Sequence, residues 1–291
     1  VKAAARNIIF GYIGNLTTQL LGFVLRTIFI RHLGQTLNGV NALYTGILSV
    51  LSMAELGIGT ALNYSLYKPV IHKDYEKIKS YMLLYKKAYR IIGFVVAGIG
   101  LVIVPFLPYL VKQPEGVTLR DLTLYYLIFL FNTVSSYFVA YKYSLVNAEQ
   151  KNYIQTNIIT VTKMITVTLQ IIVILATGNF YAYLLTAATV ELLQKIFVSR
   201  YLNNMYPYLK EKDIKPLTKE EVREVVKKTK ALVLHKVGDV ARLQTDAMII
   251  SGFINVTLSG IVDNYNLVIS SVSNFVNIIF NSVLSSFGNL I

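Results

Sequence analysis

Six cations and five acids sit in stretches of this sequence that are otherwise too apolar to solvate them. The cations are Arg26, Lys142, Lys163, Lys195, Lys236 and Arg242; the acids are Glu55, Glu191, Asp239, Asp246 and Asp263. If those stretches cross a bilayer, each ionised group costs at least ~2.5–3.5 kcal/mol at depth, so it must face a cavity, a partner or a headgroup. Cations around a cavity hold an anion, and phosphate or pyrophosphate suits them best. Lysine supplies an adaptable point charge and arginine a rigid fork. A carboxylate without a cation partner has a different use, as the carrier of a coupling ion.

Position within each stretch separates these roles. Lys163 lies close to the middle of its span, and its neighbours one turn away (Ile159, Thr160, Thr166, Val167) are uncharged. From there a lysine snorkels poorly, so Lys163 reads as facing a polar cavity. Lys195 follows Glu191 by one turn, the favourable order for an ion pair, and both a self-neutralising pair and a cavity role fit. Arg26 and Lys142 lie about one turn from a span end and read as snorkelling to the headgroups. Glu55 has no cation within a turn on its own helix. Depth makes Lys142, Lys163 or Lys195 its expected partner, in an ion pair that ties its helix to the bundle, with a coupling-ion carboxylate as the alternative. His235, Lys236, Asp239, Arg242 and Asp246 crowd one helix; Asp239–Arg242 and Arg242–Asp246 can pair along it, yet paired charges still need water or protein around them. That helix is expected to line an aqueous cleft.

The elements that must position these groups are membrane spans. Of the 291 residues 54% are hydrophobic and only 15% charged, with a mean hydropathy of +0.53. A soluble domain carries about a quarter charged residues. The apolar residues come in blocks long enough to cross ~30 Å of hydrocarbon. Eight spans are expected, at 7–30, 37–66, 90–111, 122–147, 153–177, 180–202, 230–254 and 257–288. With the N-terminus inside, nineteen loop cations fall inside and three (Arg31, Lys112, Arg120) outside, which is the positive-inside pattern. The net charge of +13 therefore reflects topology and contact with anionic headgroups, not nucleic acid. With no cysteine, disulfides and thiolate chemistry are excluded. No Walker A sequence, dinucleotide loop, HExxH or Cys/His cluster is present, so neither an enzyme nor a cofactor or metal site is expected. Tyrosines near span ends, such as Tyr67, Tyr109, Tyr125 and Tyr126, read as interfacial anchors.

The predicted fold class is all-α: a polytopic bundle of six helices over 1–205, a cytoplasmic amphipathic linker over 206–229, and two helices of a second bundle over 230–291. Thr218 with Glu221 forms a capping box for a helix along 219–229. Residues 36–44 read TLNGVNALY and residues 257–265 read TLSGIVDNY, with Thr, Leu, Gly and Tyr coinciding at a constant offset. Each opens the second helix of its pair, which predicts two bundles as a parallel repeat. On that reading the second bundle is truncated, and the chain is expected to be an N-terminal part of a longer protein.

The opening ARNIIFGYIGNLTTQLLGFVLRTIFIRHLG, the runs LYTGILSVLSMAELGIGTALNYSLYKP and YKKAYRIIG, and later LFNTVSSYFVAYKYSLVNAEQ and TDAMIISGFI together resemble bacterial polysaccharide flippases of the O-antigen and capsule type. These belong to the multidrug/oligosaccharidyl-lipid/polysaccharide exporter superfamily, and Arg26 and Glu55 fall where that family typically has such residues. The resemblance implies a multi-pass protein of the bacterial cytoplasmic (inner) membrane with a cytoplasmic N-terminus. It would flip undecaprenyl-pyrophosphate-linked oligosaccharide outward for surface polysaccharide biosynthesis, by alternating access around a cationic cavity. H+ or Na+ coupling, surrounding membrane lipids and polysaccharide assembly partners are implied with it. A multidrug exporter of the same superfamily is the alternative, although cationic drugs call for acids in the cavity and not lysines. A membrane-embedded glycosyltransferase or polymerase would need a carboxylate constellation at one face, and a purely structural scaffold has no use for Lys163.

Overall fold

A backbone in hydrocarbon must satisfy its own hydrogen bonds, and the apolar runs therefore become helices. The computed structural model describes residues 2–111, 116–211 and 214–288, with side chains throughout except at 2–8, 53–54, 56–58, 60–62, 231–244 and 274–288. In chain order the helices are α1 Lys2–Leu51, α2 Met53–Ile71, α3 Tyr75–Ile103, α4 Leu107–Leu110, α5 Leu119–Ala148, α6 Asn152–Thr177, α7 Phe180–Met205, α8 Lys219–Ile249 and α9 Val256–Gly288. Five described segments are long and apolar enough to cross a membrane: Ile9–Leu51, Tyr75–Leu110, Leu119–Ala148, Asn152–Thr177 and Phe180–Met205. The protein is all-α and multi-pass.

The first of those segments holds the first expected span and the start of the second. Gly34, at φ 85°, interrupts the helical backbone inside α1. Arg26 reaches Asn38 across that point. On a straight helix the two would be ~18 Å apart, beyond the reach of both side chains, so the halves of α1 fold back on one another. Only glycine takes that φ without a Cβ clash.

Other turns follow local chemistry. Thr118 and Asp121 form a full capping box at the start of α5, Asn179 caps α7 through Ala182 N at 3.2 Å, and Gly178 closes α6 in the left-handed conformation. The expected box of Thr218 with Glu221 is present, but the helix it starts does not stop at 229. It runs unbroken to Ile249 and ends in a π turn at Ile250–Ile254. The amphipathic helix expected at 219–229 and most of the stretch expected to span at 230–254 are here one helix. Its first turns are pinned to α3 by the Lys77–Glu221 ion pair, and the Lys77 ammonium holds the Glu221 carboxyl below the usual carboxylate range.

Packing places α1 between α6 and α9, α2 between α3 and α8, and α5 between α3 and α7. One apolar core gathers Leu25, Phe29, Tyr44, Tyr126 and Phe180; a second, nearer the basic loops, gathers Leu66, Tyr85, Tyr137, Leu145 and Leu202. Two expected interfacial tyrosines belong to the first. Tyr109 is 80% exposed, as an anchor should be, whereas Tyr125 and Tyr126 are buried. Tyr126 donates to the Gly100 carbonyl at 3.0 Å, and Tyr125 packs on Phe180 and Tyr181. Nearness to a span end sets depth; the direction a side chain takes around the helix is set by the neighbours.

Candidate functional site

Three helices bring polar groups to one level, two of them ionisable. Lys195 on α7, Asn132 on α5 and Lys163 on α6 all lie ~20 Å along their helices from the non-basic end. Lys195 is 8% exposed. Its Nζ donates to the Asn132 carbonyl at 2.9 Å, to Asn132 Oδ1 at 2.7 Å and to Ser135 Oγ at 2.8 Å. Asn132 Nδ2 in turn donates to Glu191 Oε2 at 2.6 Å, while the Lys195–Glu191 contact is 3.9 Å. The expected i,i+4 pair is therefore loose, and neutral oxygens do most of the solvating. A buried ammonium with all three protons satisfied is held in place as a fixed charge.

Lys163 is half-buried and, among the described residues, has no hydrogen-bond or ion-pair partner. The charges that act on it are those of Glu191 and Arg26. Gln19 on α1 lies at a similar depth, ~22 Å from Gly34 along its helix. Both its amide atoms are buried without a hydrogen-bond partner among the described residues. α1 packs directly on α6, so an unpaired cation and an unpaired amide flank the same region. Buried polar groups are ordinarily satisfied, and exceptions mark a site that takes something else.

Arg26 belongs to a second cluster. Its Nη1 donates to Asp263 Oδ2 at 2.6 Å and to Asn264 Oδ1 at 3.3 Å on α9, besides Asn38 on the far half of α1. Asn38 Nδ2 donates to the Gly260 carbonyl at 2.9 Å, and Asn264 Nδ2 to Gln35 Oε1 at 3.2 Å. This corrects the snorkelling expectation for Arg26, because an acid on α9 offers it a nearer partner than the headgroups. Thr36 Oγ1 lies 3.1 Å from Thr257 Oγ1, and a Cβ on Gly260 would come within 2.7 Å of Gly39 N. Equivalent positions of the two TL-x-G motifs thus meet their own counterparts, as residues on a two-fold axis do.

Lys142 also differs from expectation. It donates to Ser199 Oγ at 2.7 Å and Asn203 Oδ1 at 2.8 Å, both on α7, and faces a pocket at the basic end of the bundle. Glu55 pairs with none of Lys142, Lys163 or Lys195 and lies within hydrogen-bonding reach of the Tyr137 and Tyr89 hydroxyls. Hydroxyls from α3 and α5 reach it where the lysines are already occupied or remote. Asp246 is exposed. The side chains of His235, Lys236, Asp239 and Arg242 lie outside the described residues. The expected cationic set therefore divides: Lys163 and Lys195 lie at one depth with Glu191 acting on both, Arg26 lies in a seam with α9, and Lys142 lies at a third location. Sequence reasoning weighed charges and passed over Gln19, Asn38, Asn132 and Asn264, although an amide inside an apolar span is itself a signal.

No family model and no curated protein matches the sequence. Among solved structures, an inward-facing multidrug resistance MATE family transporter of the MOP superfamily aligns with a TM-score of 0.57. The alignment covers 85% of this chain and 59% of that one at 14% identity. The fold is that of the MATE transporters. A MATE protein in complex with MaD3S gives a TM-score of 0.56 over 87% of this chain and 58% of its own, at 16% identity. The chain spans about three fifths of the length of these transporters, and at such identity the likeness concerns architecture.

Proposed function

We propose that the protein moves an anionic, lipid-linked oligosaccharide across the cytoplasmic membrane for surface polysaccharide synthesis, holding its pyrophosphate at Lys163 and Lys195. The observation that carries this reading is Lys163, an ammonium unpaired among the described residues at the same depth as the buried Lys195–Asn132 cluster. An anion arriving there gains a charge-assisted contact that no described protein group already fills. Glu191, an acid described at this level, is occupied by Asn132, which weighs against a cationic drug as the cargo. The fold supports alternating access, with the α1–α9 seam as the contact that opens and closes. Expression of the full-length gene in a strain lacking its polysaccharide flippase should restore surface polysaccharide. Failure to do so despite membrane insertion, together with lowered drug accumulation, would favour the multidrug alternative.

Glu55 is the candidate for the coupling ion, because its partners among the described residues are the Tyr89 and Tyr137 hydroxyls and not a cation. Glu55→Gln removes the charge and orphans no cation among the described residues. Abundance near that of the parent with export reduced about tenfold or more is the expected result. Equal export at equal abundance would return Glu55 to a structural role.

A further inference from the structure

The pocket at the basic end of the bundle has neither Lys163 nor Lys195 in its wall. It encloses about 600 Å³ between α3, α5, α7 and the segment after Met205. It lies away from the α1 and α2 faces that meet α9 and α8. Five cations line it, Lys79, Lys86, Arg90, Lys142 and Lys210, against one described acid, Glu211. Glu211 is taken by Lys79 at 2.6 Å. Four positive charges remain. Lys142 is held by Ser199 and Asn203, neutral groups that fix its position without cancelling its charge, and it is close enough to Lys86 to be repelled by it. Lys86 and Arg90 have no hydrogen-bond or ion-pair partner among the described residues. Like charges gathered in a concave site are stable when an anion shared between them offsets the repulsion.

The walls indicate which anion. Lys142 is ~9 Å from the basic end of α5, which is headgroup depth. Phe138 also lines the pocket. Phe138 is 41% exposed and stacks edge-on with Phe94, 68% exposed, at a ring separation of 6.2 Å. A cationic recess with exposed aromatic surface directly on its bilayer side fits a molecule that is anionic at one end and apolar at the other. We propose that this pocket binds the phosphate headgroup of an anionic inner-leaflet lipid, with Lys86, Arg90 and Lys142 on the phosphate and the acyl chains along Phe94 and Phe138. The site is separate from Lys163 and Lys195, and its occupancy does not depend on what the transporter carries.

The test uses the purified full chain in detergent, with lipid retention read by native mass spectrometry. Phosphatidylglycerol should be retained in preference to phosphatidylcholine, and Lys86→Gln and Arg90→Gln should each lower its retention about tenfold, the worth of one charge-assisted contact. Neither residue has a partner to orphan among the described residues, so both variants should elute as folded protein. Lys163→Ala should retain phosphatidylglycerol as the parent does, which separates this site from the transport site. Equal retention of the two lipids, or no change in either variant, overturns the proposal. If inorganic pyrophosphate displaces the lipid completely and binds as well alone, the lipid assignment falls and the pocket is a site for a soluble phosphate.

Discussion

Lys163→Ala is expected to leave the protein folded in the membrane at parental abundance while surface polysaccharide export falls by about ten- to a hundredfold, the loss of a charge-assisted contact to a doubly charged group. The separation of the two readouts follows from the environment of Lys163. Removing a half-buried ammonium that pairs with nothing among the described residues orphans no neighbour. Lys195→Ala should abolish export as well, but it leaves Asn132 and Ser135 without their donor and is expected to lower abundance too. Lys163→Arg keeps the charge and should restore part of the activity, whereas a merely steric role would not be rescued. Export by Lys163→Ala equal to that of the parent at equal abundance would remove the cationic site from the mechanism.

Gly39→Leu should uncouple α1 from α9. A Cβ at residue 39 would overlap the Val256 carbonyl oxygen, and backbone cannot retreat as a flexible side chain can. Close approach of two helices in a membrane depends on small residues at the contact. The Arg26–Asp263 and Thr36–Thr257 contacts lie in the same seam. The chain contains no cysteine, so Thr36→Cys with Thr257→Cys gives a clean reporter: hydroxyls 3.1 Å apart place the replacing thiols within reach of a disulfide. Crosslinking should be nearly complete in the parent background and about tenfold lower with Gly39→Leu. Oxidation of the double-cysteine protein should also stop export, and reduction restore it. A crosslinked protein that exports normally would show that the seam does not open during transport, and undiminished crosslinking in Gly39→Leu would show that the glycine contact does not hold it.

The all-α, multi-pass class is legible in the sequence alone, because apolar blocks of span length leave a chain no alternative in hydrocarbon. The Thr218–Glu221 box is legible for a similar reason: it depends on residues three apart in one stretch of chain. The repeat of TLNG and TLSG is visible in the letters, but not that Thr36 faces Thr257 and Gly39 faces Gly260. The depth of Lys163 and Lys195 is likewise set by position along a helix, at a constant rise per residue.

Rotation about the helix axis and the identity of the neighbours are decided only by tertiary structure. Arg26 and Lys142 both lie near span ends, where snorkelling is the expectation for each; Asp263, 237 residues away in sequence, captures one, and Ser199 and Asn203 capture the other. Glu55 meets tyrosines in place of the expected lysines. The amphipathic helix expected at 219–229 forms the first turns of α8, which continues to Ile249. A sequence determines how deep each polar group lies, since depth is counted along one helix. Which groups meet at that depth depends on how several helices pack, and that is a property of all of them together.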